Sequence, residues 1–300
     1  MTAGLVRVRP LLLPLGVLLV AVVAFVVPYR AARRVPSLAE WRAAAAAVRA
    51  GWQDGDVIRL APWWASEGLG ELRGLPVDRV RQPEPRRLQH YRRLWVLAVQ
   101  GHTCAAGALP GAEPRQRQTF GRVALCRYDL AYRGTPLYDL RDRLPEARVR
   151  RVGPRRTDTC SLWARDGWHC GSKPHPWKFV GPVVKDVDDN PREALWVHAP
   201  EDGLTLLVDY PAVPLGRELE LQAGLTLRAV HSGEGRDVVL TVRIAGTPVL
   251  REVFAPRARG WRDLSLDTTA WAGRTLPVQL AIHTRDNQVR QLVVDGRTWP

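Results

Sequence analysis

The chain has 300 residues, 46% of them hydrophobic, with 44 basic and 30 acidic side chains, a net charge of +14 and a pI near 10.6. That apolar content excludes a disordered polyelectrolyte, and the length leaves room for one large or two ordinary domains. Such a pI fits the electrostatic footprint of nucleic-acid binding, but no RNP, zinc-finger or helix-turn-helix signature accompanies it, so no nucleic-acid partner is expected.

The charge is unevenly spread. Residues 1–156 hold 27 Arg and 12 acidic residues, net +15, whereas residues 157–300 come to −1. Two domains are the reading this split favours. A basic surface of this kind is either a solvated face or a surface turned toward anionic headgroups.

The first element in chain order is "PLLLPLGVLLVAVVAFVVPY", 20 uncharged residues from Pro10 to Tyr29. About 20 apolar residues are needed for a helix to cross about 30 Å of hydrocarbon, and the run is longer than the apolar core of about 7–15 residues in a cleaved signal peptide. The expectation is a cytoplasmic tail at 1–9, a transmembrane helix at 10–29 and a single-pass inner-membrane protein whose remaining chain is extracytoplasmic. Cysteine usage sets that orientation: Cys104, Cys126, Cys160 and Cys170 are even in number and contain no C-x-x-C pair.

Ser37 is a natural N-cap for the Ala-rich helix that ends near Gly51. Asp54-Gly55-Asp56 then turns the chain into "VIRLAPWW", a strand that delivers Trp63 and Trp64 at its carboxyl end, where open α/β sheets bind ligands. Burial of a Trp against a helix is the alternative. Arg86, Arg87, Arg92 and Arg93 bracket His90 and Tyr91; guanidinium forks grip phosphate well, and a solvated helix face explains them equally. Two further apolar strands, "LWVLAVQGH" and "FGRVALCRYDL", complete a small basic α/β (Rossmann-like) domain over 36–135 with partly parallel strands.

Residues 136–193 read as a linker with a disulfide loop. In "CSLWARDGWHC" the simplest pairing is a Cys160–Cys170 staple; zinc would have to recruit His169 and His175, and adjacent Cys170 and His169 cannot easily point at one ion. Cys104 and Cys126 form a second bridge or stay as buried thiols. Asp186, Asp188 and Asn190 offer oxygens suited to calcium, although Pro191 stands where an EF-type loop needs glycine, and a solvated turn is the default. From 194 to 300, seven short apolar-alternating runs at intervals of roughly 10–12 residues argue an all-β jelly-roll sandwich.

The stretches "WRAAAAAVRAGWQDGDVIRLAPWW", "RRLWVL" and "FGRVALCRY" resemble the extracytoplasmic domain of bacterial polytopic glycosyltransferases that use polyprenyl-phosphate sugars, over about residues 37–130. That family's catalytic carboxylate lies in a polytopic part with no counterpart here, so no transferase activity is implied. "GWRDLSLDTTAWAGRTLPVQLAI" looks like the late strands of galactose-binding-like jelly rolls, over about residues 194–296. The fold it implies hosts many ligands. No nucleophile elbow, phosphate loop or H-E-x-x-H helix occurs. The reading that results is a membrane-anchored, non-catalytic envelope protein that binds glycan, a lipid-linked sugar or a membrane-complex partner protein during polysaccharide or glycoconjugate assembly. The rival is a glycan-modifying or glycosyl-transferring enzyme with its site between the two domains, for which two carboxylates such as Asp166, Asp186, Asp188 or Glu193 would have to lie about 5–10 Å apart.

Overall fold

The computed structural model describes residues 9–32, 34–79, 84–165, 167–200 and 203–300. The chain divides into two compact units, Met1–Arg133 and Gly134–Pro300. Residues Arg9–Ala32 form a helix. Among the described residues, however, no helix is long and apolar enough to cross a membrane. The expected transmembrane helix at 10–29, and the single-pass inner-membrane location built on it, are therefore corrected.

In the first unit the helix Leu38–Gly51 starts in a capping box. Ser37 Oγ accepts from the Glu40 N–H and Glu40 Oε2 accepts from the Ser37 N–H, so two otherwise orphaned donors are satisfied. Its buried stripe of Trp41, Ala44, Ala45 and Val48 packs on one face of a five-stranded sheet. The same Glu40 carboxylate accepts from the Arg122 N–H at 3.0 Å, and Gly121, at φ +58°, makes room for it: a Cβ there would sit on Glu40 Oε1.

The sheet runs Val77–Asp78, Asp56–Ala61, Arg93–Ala98, Val123–Asp129, Gln116–Phe120 in spatial order. The first three strands are parallel and the last two antiparallel. The Rossmann-like expectation is corrected here as well. Between Asp56–Ala61 and its parallel neighbour Arg93–Ala98, the described chain carries only a two-residue strand and the four-residue helix Pro85–Leu88. The opposite sheet face is covered by loops and the short Cys104–Gly107 turn, because "CAAGALPGA" is too rich in Gly and Pro for a full helix. Asp56, 2% exposed, locks the sheet to the helix end. Its carboxylate accepts from Arg93 Nε and Nη2 at 2.8 and 2.7 Å, from Trp95 Nε1 at 2.8 Å and from the Gln53 N–H at 3.1 Å.

The second unit is a β-sandwich of two antiparallel sheets, as the alternating runs predict. The six-stranded sheet is ordered Thr247–Phe254, Val238–Ile244, Thr275–Thr284, Thr205–Pro214, Arg148–Val152, Thr157–Thr159. In the nine-stranded sheet, Glu218–Leu225 and Arg192–Val197 flank Leu292–Trp299, and Phe179–Lys185, Gly167–His169 and Leu162–Ala164 follow outward. Residues between 136 and 193 thus supply strands to both sheets. Leu195, Val197, Leu292 and Val294 face the core between the sheets, and Ala194, Trp196 and Val293 face outward, as the two-residue period of a strand requires.

A charged network is buried at the edge of this core. Arg297 Nε lies 2.7 Å from Asp139 and its Nη1 2.9 Å from Asp295. Burial alone would lower the Arg297 guanidinium, but the two carboxylates hold it above its ordinary value. Replacing Arg297 with Ala removes the closest cation from two carboxylates at 9% and 7% side-chain exposure and should destabilise the unit by about 3 kcal/mol in urea denaturation. Tyr138, whose hydroxyl donates to Glu146 at 3.0 Å, is pushed up to about 12 by burial and then by that carboxylate. An acid whose folded pKa is raised keeps its stabilising contribution below its unfolded value of about 10 and loses it as pH climbs. The urea midpoint should fall between pH 10 and 12, and Tyr138→Phe should flatten that decline.

Candidate functional site

A cleft of about 500 Å³ lies within the second unit. Phe179 lines it, and behind Phe179 an aromatic stack lies on the outward face of the larger sheet. His169 lies 5.3 Å from Phe179, and Phe179 stacks on Trp196 at 6.0 Å with 12° between planes. Trp177 leans on Trp196 at 6.2 Å, accepts a long 3.4 Å hydrogen bond from its indole through the Trp177 carbonyl, and stays 40% exposed.

The loop carrying Trp177 is built by its own histidines. His169 Nδ1 accepts from the His175 N–H at 3.1 Å, which leaves Nε2 to donate to Ala164 O at 3.0 Å. His175 Nδ1 accepts from the N–H of Trp177 at 3.2 Å and Lys178 at 3.4 Å. The loop therefore folds back on His175 in two steps and presents the indole beyond it. Cys170 closes the base: it is bridged to Cys160, and its N–H donates to Lys178 O. Both bridges of the sequence reading are formed, Cys104–Cys126 and Cys160–Cys170.

The opposite wall is the segment Asn287–Gln291. Arg290 is fully buried, with Nε donating to Gln288 O at 3.1 Å and Nη2 to Ala229 O at 3.0 Å, and burial lowers its guanidinium pKa. His198 Nδ1 donates to Arg290 O at 2.7 Å. Around that anchor Val289 is held at φ +50°, a region that β-branched residues rarely enter. Gln291 accepts from Thr226 Oγ1 at 2.8 Å, and the helix Leu227–Ser232 that Thr226 caps sets exposed Arg228 5.6 Å over the Trp177 ring.

Other residues singled out from sequence fall elsewhere. Trp63 is half-buried and Trp64 50% exposed, both in the first unit after the cis Ala61-Pro62 bond. Of the four arginines, Arg93 is bound to Asp56, Arg87 pairs with Asp78 at 3.1 Å, Arg92 lies over Tyr132 at 4.4 Å and Arg86 is exposed. Two of the four charges are thus already matched by buried carboxylates. At the calcium candidate, Asp186 Oδ1 accepts from the Asn190 N–H at 2.9 Å and Asp188 faces Arg259 at 3.8 Å. No group of three His, Cys, Asp or Glu side chains able to hold a metal occurs among the described residues. Asp166 lies outside them, and Glu193 pairs with Arg141 at 2.8 Å.

Scanned against protein-family models the chain matches none, and a search of curated proteins finds no match. Among solved structures it is similar to the CBM51-2 and INT domains of Clostridium perfringens ZmpB in complex with GlcNAc. There the TM-score is 0.29 and the identity 13%, over 51% of this chain and 37% of that one. The CBM51 of Clostridium perfringens GH95 in complex with methyl-galactose gives a TM-score of 0.29 at 8% identity, over 46% and 97%. The secreted serine protease VesC of Vibrio cholerae gives 0.28 at 13%, over 61% and 39%. Similarity at this level assigns neither ligand nor activity.

Strain held at a cleft wall is relieved by glycine, which adopts positive φ freely. Val289→Gly should raise stability by about 1 kcal/mol in urea denaturation while weakening whatever the cleft binds, because the wall loses its fixed shape.

Proposed function

We propose that the chain is a non-catalytic glycan-binding protein, with the Trp177 cleft as its recognition site, acting in polysaccharide or glycoconjugate assembly. The observation that carries the reading is a half-exposed indole set on a rigid aromatic stack and ringed by the side-chain amides and cations of Asn287, Gln288, Gln291, Lys178 and Arg228. Indole faces take the C–H face of a sugar ring, and planar amides and guanidinium groups match its hydroxyls. A concave site of about 500 Å³ is of the size that holds a small oligosaccharide. The assembly role rests on the likeness of residues 37–130 to the soluble domain of lipid-linked-sugar glycosyltransferases.

The enzymatic rival finds little support in this cleft. Glycoside hydrolysis uses two carboxylates about 5–10 Å apart, and among the described residues the lining holds neither Asp nor Glu.

The test is a glycan array probed with the purified full chain, followed by calorimetric titration of the best ligand. Trp177→Ala should reduce affinity about 30-fold, the roughly 2 kcal/mol of an aromatic anchor, with little change in melting temperature because the ring is already half in water. Unchanged affinity in Trp177→Ala would remove the cleft from consideration.

A further inference from the structure

We infer that the cleft selects acidic glycans, those carrying a carboxylate or phosphate on the sugar, over neutral ones; this rests on the glycan-binding reading above.

The charge of the lining is one-sided. Arg151, Lys178 and Arg228 contribute to it, and among the described residues no acid does. These cations are not equivalent. Arg151 donates through Nη2 to Asp158 at 3.1 Å, so its charge is balanced from behind. Lys178 is half-buried in the wall beside Trp177. Arg228 is exposed, its guanidinium 5.6 Å over the Trp177 ring, and it makes no ion pair among the described residues. A guanidinium held by an aromatic face, with no carboxylate of its own, keeps its fork available for planar oxygen pairs.

The sequence adds an independent mark. The chain uses arginine for 41 of its 44 basic residues, yet all 3 lysines, Lys173, Lys178 and Lys185, fall within 13 positions around this loop. Lys185 lies 5.1 Å over the Trp196 ring, part of the aromatic stack that supports Trp177. The unit as a whole, residues 134–300, comes to +3, and the described lining of the cleft shares that sign. In a partly enclosed site a charge-assisted hydrogen bond is about twice as strong as a neutral one, which turns this positive lining into selectivity.

The geometry also distributes the roles. Trp177 takes the ring of the sugar, and Arg228, above the same indole, reaches an acidic substituent on it. Asn287 and Gln288 on the facing wall are left for the hydroxyls.

The experiment titrates the full chain with matched pairs at low and high salt: oligogalacturonate against its methyl ester, sialyllactose against lactose, and a mannose 6-phosphate oligosaccharide against the unphosphorylated sugar. At least one acidic member should bind about tenfold more tightly than its neutral partner, and the advantage should shrink as salt rises. Which acid shows it separates carboxylate from phosphate. Arg228→Gln should bring the acidic and neutral members of each pair to similar affinity, and Arg228→Lys should keep part of the difference. Equal binding within every pair, or an acid preference untouched by Arg228→Gln, would overturn the inference while the glycan-binding reading stands. Binding of no sugar in either form would overturn both.

Discussion

The site depends on the stack of His169, Phe179 and Trp196 on the outward face of the nine-stranded sheet. A sandwich strand must alternate, so "ALWVH" can give Leu195 and Val197 to the core only by placing Trp196 and His198 on the other side. An indole on an outward face would normally be wet. Here it is 1% exposed, because Phe179 and the loop of Trp177 lie over it. The large ring thus needs a cover, and the cover in turn carries the exposed Trp177 that makes the cleft. Aromatic pairs in offset or tilted contact add about 0.5–1.5 kcal/mol each beyond burial, enough to hold a short loop in one shape.

The loop is constrained a second time by its covalent base. The Cys160–Cys170 bridge closes a ring of about ten residues around the small hairpin Leu162–Ala164 and Gly167–His169, on which His169 stands. Each histidine accepts from the backbone of the next segment, so the chain from 169 to 178 is ordered mostly by side chains and scarcely by sheet pairing. Arg290 performs the equivalent task across the cleft, where a fully buried guanidinium donates to two backbone carbonyls, Gln288 and Ala229, while the Arg290 carbonyl accepts from His198. Both walls are thus preorganised, which lowers the ordering cost of taking up a ligand.

The sequence made the sandwich legible because period-two alternation survives in strands such as Val238–Ile244, buried at every second residue. The capped helix at Leu38–Gly51 was equally plain, and so was the Cys160–Cys170 bridge, whereas Cys104 and Cys126 read equally as a bridge or as buried thiols. What alternation could not show was the cleft. Its residues come from strands, loops and a short helix at 151, 170, 175, 177–179, 198–200, 206, 228, 287–289 and 291, and nothing local links Trp177 to Arg228 or Gln288. "HPWKF" stood in a stretch read as a linker because two prolines and a glycine masked a seven-residue strand immediately after it. Likewise Asp56 looked like part of a tight turn; its partners Arg93 and Trp95 lie almost forty residues away, and only the parallel register beside Arg93–Ala98 brings them together.

The strand Leu292–Trp299 lies inside the larger sheet, hydrogen-bonded to Glu218–Leu225 on one side and Arg192–Val197 on the other. During synthesis those two neighbours are made long before it, and each waits with an open edge of unpaired backbone amides. Until that strand emerges from the ribosome the nascent sandwich is two half-sheets with templating edges, the state in which β proteins pair with the wrong chain. Translation speed through the intervening residues, and any chaperone that covers those edges, therefore bear on the yield of this protein as directly as its folded-state contacts do.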